Sequence, residues 1–156
     1  MRIKAELEHP AQAIASAFLR ALADDDAAGV FARLSRQTRG LLEGLHAARS
    51  GVPLHEAAGG LGEVVAPLRS SALAVLGGPE RVGRFGVSGA RIVDRDTAYV
   101  LLIPEVEREG LITEGEWRPA HLIAFVHESR EWLVDLGRTS ALSADAGLPD
   151  PLGIIR

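Results

Sequence analysis

The chain predicts an α+β domain, with N-terminal helices packed in a curved antiparallel β-sheet. Three observations carry that expectation. Apolar residues recur at helical spacing through the first half, up to the break at Gly77-Gly78-Pro79. Beyond the break the pattern becomes β-rich, in "GVSGARIVDRDTAYVLLIPEVE" and "EWRPAHLIAFVHESREWLVDLG". Helices that precede strands, rather than alternate with them, pack on one side of an antiparallel sheet. A length of 156 residues suits one domain with a single core. The expected domain spans 1–156, with a helical half at about 10–78, a sheet half at about 82–137 and an irregular tail at 139–156.

Each element has its own signal. Pro10 suits a first helical turn, where its missing N–H is no loss. Ile14, Phe18 and Leu22 then recur every fourth residue, beside Ala11, Ala15 and Leu19, which makes an amphipathic helix with one buried stripe. Asp24-Asp25-Asp26 ends it and opens a second helix, since an aspartate accepts orphan backbone N–H bonds and suits the positive end of the dipole. Val30, Phe31, Leu34, Thr38, Leu41, Leu42 and Leu45 carry that helix on to Gly51-Val52-Pro53. A third helical region, interrupted by Gly59-Gly60, is expected from Leu54 to Leu76. Asp94-Arg95-Asp96 reads as the turn of one hairpin and Ser129-Arg130 as that of another, with "REGLITEGE" a polar loop between them.

Composition excludes several classes of function. Net charge is −4, and neither half holds the basic surplus that a phosphate backbone requires, so no nucleic-acid partner is expected. Absence of cysteine removes disulfides, thiolate catalysis, thiolate zinc sites and iron–sulfur clusters. No apolar run approaches the roughly 20 residues of a membrane span, and "MRIKAELEHP" carries charge where a signal peptide needs an apolar core. The expected location is cytoplasmic, with no membrane partner.

The closing hairpin raises the functional question. A two-residue loop at Ser129-Arg130 sets Glu128 opposite Glu131, His127 opposite Trp132, Phe125 opposite Val134 and Ile123 opposite Leu136. Ile123, Phe125, Trp132, Val134 and Leu136 then form the core face. Leu122, Ala124, Val126 and Leu133 fall on the other face with Asp135, which lies opposite Ala124. That second face is apolar and is expected to be left exposed in a monomer, so it is the expected homodimer interface. An unpaired carboxylate there would be costly, and Arg118 and Arg138 are the nearby candidates to pair with Asp135.

"AIASAFLRALADDDAAGVFARLS", "VSGARIVDRDTAYVLL" and "HLIAFVHESREWLVDLG" together resemble the nuclear-transport-factor-2-like superfamily, also called the SnoaL-like or cystatin-like cone fold. The resemblance covers roughly Ala11 to Gly137. It implies a curved sheet wrapped around the helices, often with an interior pocket and commonly a dimer. That superfamily holds isomerases, dehydratases, epoxide hydrolases and cyclases beside many non-enzymatic binding domains, so a shared fold does not fix function. The glycine-punctuated helical stretch from Leu54 to Leu76 departs from the enzyme members, and no catalytic residue of theirs carries over.

Candidate chemistry is sparse. His121, His127, Tyr99 and Asp135 are the available acid–base groups, and together they could move a proton α to a carbonyl. Histidines at the rim of a core face explain the same residues without catalysis. Asp94-Arg95-Asp96 and Asp24-Asp25-Asp26 read as a turn and a helix cap rather than as metal ligands. Arg33, Arg36 and Arg39 recur every third residue, as on a solvated helix side or a surface for an acidic partner or a carboxylate ligand. No metal and no cofactor are expected. The leading expectation is a non-catalytic ligand- or protein-binding domain, homodimeric, taking a small apolar ligand or a protein partner. The alternative is a small-molecule isomerase, dehydratase or cyclase using a pocket acid or base.

Overall fold

The structure, a computed structural model, describes residues 9–51, 60–104 and 121–154. Its helices are α1 (Pro10–Ala23), α2 (Ala27–Ala32), α3 (Arg36–Ser50), α4 (Leu61–Leu76), α5 (Pro79–Val82) and α6 (Leu136–Ala146). Its strands are β1 (Gly86–Val87), β2 (Arg91–Asp94), β3 (Thr97–Ile103), β4 (His121–Glu128) and β5 (Glu131–Val134). The strands form one antiparallel, strongly curled sheet in the order β1-β3-β4-β5, with β2 also paired to β3. This is the α+β arrangement expected from helices that precede strands.

α1 buries Phe18 and Leu22 completely, and Ile14 packs partly buried beside them. They meet Val100 and Leu102 of β3, Ile123 and Phe125 of β4, and Val134 of β5 in one core. The hairpin register is as expected, with Phe125 opposite Val134, His127 opposite Trp132 and Glu128 opposite Glu131. Burial of these side chains supplies most of the folding free energy, at about 1.5–3 kcal/mol for each large apolar group.

Some elements differ from the expectation. The second helix is two, because the chain extends at Leu34 and makes a parallel bridge to Val134 before Ser35 caps α3. The third helix starts at Leu61, and the expected stretch before Gly60 lies outside the described residues, as do the "REGLITEGE" loop and Arg118. β5 stops at Val134, so Leu136 does not face Ile123 as a strand partner. It enters the core as the first residue of a helix. The tail at 139–156 is not irregular, since α6 runs to Ala146 and Gly147 ends it in the left-handed conformation.

That last helix corrects the expected interface. Leu122, Ala124, Val126 and Leu133 are all buried within the single chain. α6 packs along β4, and the Thr139 hydroxyl accepts the Ala124 N–H at 3.0 Å. Arg138 reaches across β4 from Asp135 to the Thr97 hydroxyl at 2.9 Å. The apolar outer face is therefore covered in a monomer, and a homodimer no longer follows from it.

Candidate functional site

Two helix caps meet where α3 and α6 begin. Ser35 ends the short extended stretch after α2, its N–H bonded to the Val134 carbonyl at 2.8 Å, and its hydroxyl accepts the Thr38 N–H. Asp135 follows β5, its N–H bonded to the Ala124 carbonyl at 3.0 Å, and its carboxylate accepts the Arg138 N–H at 2.9 Å. The β5 bridge to Leu34 brings the two caps together. Ser35 Oγ lies 2.6 Å from Asp135 Oδ1 and 2.9 Å from Thr38 Oγ1, and Thr38 Oγ1 accepts the Leu136 N–H at 2.9 Å.

The proton order follows from what each group can do. A carboxylate only accepts, so Ser35 donates to Asp135. Ser35 has one hydroxyl proton, so Thr38 donates to Ser35. Thr38 is then free to accept from Leu136. The chain runs from Leu136 N–H through Thr38 and Ser35 to Asp135, and every member is buried or part of a helix cap. Arg138 Nη1 adds a weak pairing at 3.5 Å, so the arginine partner expected for Asp135 is found within the same chain.

A cleft of about 740 Å³ opens beside this junction. The helices α3 and α6 form two walls, with Gln37, Thr38 and Leu41 on one and Leu136, Gly137, Ser140 and Ala144 on the other. Leu148, Asp150, Gly153 and Ile154 of the C-terminal segment form the third. That segment is anchored. Leu152 is buried, its N–H bonds Asp150 at 2.9 Å, and Ser71 donates to the Gly153 carbonyl at 2.7 Å. The volume lies within the roughly 300–1,000 Å³ usual for small-molecule sites, and the lining is apolar with a few polar groups.

The expected acid–base set does not converge. His121 and His127 lie on the core face, at opposite ends of β4 and about 20 Å apart at the usual strand rise. Tyr99 and Asp135 lie on the other face, on either side of Ala124. The sheet itself separates the two pairs. Burial pushes the His121 imidazole below its usual range, opposed by the nearby Pro149 backbone. His127 stacks on Trp132 with ring centroids 4.8 Å apart, and His9 meets the same indole edge-on at 4.7 Å. Among the described residues no group of three or more His, Asp or Glu side chains could hold a metal ion.

The aspartate runs have structural uses. Asp26 caps α2 through the Gly29 N–H, Asp25 pairs with Arg69 at 3.4 Å, and Asp94 accepts the Asp96 N–H within its turn. Arg33, Arg36 and Arg39 do not share one helix. Arg33 ends α2, whereas Arg39 reaches back from α3 to the Leu34 and Ala32 carbonyls and lies 5.5 Å over the Phe31 ring. The sequence reading missed the cleft, because one wall and part of another, from Ser140 onward, belong to a tail expected to be irregular.

Fold and site together define an α+β domain with a filled, curled sheet and an apolar cleft outside it. No family model, curated protein or solved structure matches the chain. No described helix is long and apolar enough to cross a membrane.

Proposed function

We propose that the protein is a non-catalytic binding domain of the cone-shaped, SnoaL-like kind, and that it takes a small apolar ligand in the cleft between α3, α6 and the C-terminal segment. The carrying observation is that cleft, about 740 Å³ and lined by Leu41, Leu136, Leu148 and Ile154 with Gln37, Ser140 and Asp150 at hand for one polar group. The space enclosed by the sheet supports the same reading. It is filled by Phe18, Leu22, Ile123 and Phe125, so the interior is core. Acid–base catalysis has less support, because its four candidate groups stand on opposite faces of the sheet.

A neutral fluorescent probe, N-phenyl-1-naphthylamine, tests the site. At about 0.3 kcal/mol per non-hydrogen atom, its roughly 17 atoms correspond to about 5 kcal/mol, or a Kd of about 0.2 mM. Ala144→Trp places an indole in the cleft from an exposed position on α6. It should weaken the probe at least about tenfold while the melting temperature holds. A probe that does not bind, or that binds the variant equally, overturns the reading.

A further inference from the structure

A second site, sharing no residue with the cleft, lies at the open edge of the closing hairpin. A groove of about 560 Å³ runs between the start of α1, the end of α2 and β5, lined among others by Ile14, Arg33, His127, Arg130 and Trp132. We propose that this groove binds a carboxylate carried on an apolar body, with Arg33, Arg130 and the main-chain N–H of Trp132 as its anion partners.

The strand geometry supplies the main-chain donor. In an antiparallel hairpin the N–H groups of alternate residues point toward and away from the partner strand. Asp135 N–H bonds β4 at Ala124, so the Leu133 N–H also points inward, and the N–H groups of Val134 and Trp132 point outward. Val134 N–H points away from β4, since it bonds the Arg33 carbonyl at 2.8 Å. Trp132, two residues earlier, points the same way. There α2 has already turned aside, so among the described residues the edge beyond Trp132 faces the groove and not another strand.

Arg33 supplies the second donor. Its Nη1 bonds the Gly29 carbonyl at 2.8 Å, but its Nε is buried and has no hydrogen-bond partner among the described residues. A buried charged donor left unmet is uncommon and unfavourable. An acceptor that enters the groove removes that cost.

Arg130 is the third. Ser129 and Arg130 have φ of 51° and 66°, the two left-handed positions of a type I′ turn. Asparagine and glycine suit those positions, and arginine does not. The hairpin thus keeps a strained residue whose side chain lines the groove. Two guanidinium groups, of Arg33 and Arg130, line the groove with one carboxylate, Glu131, so the groove favours an anion. Ile14 and the Trp132 ring offer the apolar surface beside it.

The probes are 3-phenylpropanoate and its neutral amide, and a short peptide ending in phenylalanine with a free or an amidated C-terminus. The measurement is nitrogen-15 NMR of the full chain, reading the Trp132 amide and the Arg33 Nε–H. The free acid should shift both signals and bind about tenfold tighter than its amide, as a charge-assisted hydrogen bond gives. Preference for the free peptide over free phenylpropanoate assigns the source as a chain terminus, and the reverse assigns a small acid. Arg130→Gly is the discriminating variant. It relieves the turn, so its melting temperature should rise while carboxylate affinity falls several-fold. Equal binding of acid and amide overturns the proposal. So does unchanged affinity in Arg130→Gly, or an absence of shifts at Trp132 and Arg33.

Discussion

Asp135→Ala removes the group on which the two helix caps converge. Three contacts are lost: the Ser35 hydroxyl at 2.6 Å, the Arg138 N–H at 2.9 Å and the Arg138 guanidinium at 3.5 Å. Loss of a helix N-cap costs about 1 kcal/mol, and loss of a buried hydrogen bond to a charged group costs about 1.5–3 kcal/mol. The half-exposed guanidinium contributes little. Relief from burying a carboxylate offsets part of this, so the net cost is about 3 kcal/mol. With a urea slope of about 2 kcal/mol per molar, the unfolding midpoint falls by about 1.5 M at unchanged slope. Asp135→Asn keeps a capping oxygen and loses the charge, so it should cost about 1–2 kcal/mol. Asp135→Ala combined with Ser35→Ala should show a coupling of about 1–2 kcal/mol. A cost below about 0.5 kcal/mol for Asp135→Ala, or additive single variants, would refute the junction as a structural link.

The core assignment separates two aromatic residues. Phe125 is completely buried, so Phe125→Ala should cost about 3–5 kcal/mol, while Trp132, partly exposed in its groove, should cost about 1–2 kcal/mol less by the same denaturation assay. Val126 is buried in the single chain, so Val126→Arg should unfold the domain, which circular dichroism reports, rather than split a folded dimer into folded monomers. Acid should also weaken the fold. Burial holds His9 and His121 below the usual histidine value of 6.5, and His127 lowers His9 further. The unfolded chain therefore takes up protons first. Stability is full above 6.5, falls as pH drops toward the lower folded values and levels off below them. His9 Nδ1 accepts the Ala11 N–H, a cap that protonation abolishes, so His9→Asn should flatten the thermal-melt profile across that window.

The parts of the fold that were legible follow from periodicity. Phe18 and Leu22 at helical spacing, and Ile123, Phe125, Trp132 and Val134 at strand spacing, named the two halves of the core. Ser129-Arg130 set the hairpin register, although neither residue favours the turn they form. α6 was missed because its buried face carries Thr139 and Ser143 beside Leu136, which an apolar period does not register. Its one clear signal was Asp135, an aspartate before a helical segment, which is the rule that placed Asp26. The alternation read at Trp132 to Asp135 drew that aspartate into the strand instead. Ser35 was hidden likewise. It interrupts an apolar period that continues in register on both sides, so two helices read as one. Missing both caps meant missing the cleft, because its walls are the helices that they start.

The cleft and the junction are therefore one mechanical unit, and the last prediction tests this. Thr38 and Leu136 line the cleft and are also joined by the 2.9 Å hydrogen bond that continues to Ser35 and Asp135. A change at Asp135 lets the start of α6 shift against α3, which alters the distance between the cleft walls. A change of similar cost deep in the core, at Phe125, leaves that hydrogen bond in place. Asp135→Asn is the gentler cut and keeps the domain folded, with Phe125→Leu as the control of comparable stability. N-phenyl-1-naphthylamine should bind Asp135→Asn several-fold more weakly than it binds Phe125→Leu. It should also raise the melting temperature of the unmodified protein more than that of Asp135→Asn, since a ligand stabilises in proportion to its affinity for the folded state. Equal affinities in the two variants would mean that the cleft walls are held by packing alone, and that the buried hydrogen bonds serve stability without shaping the site.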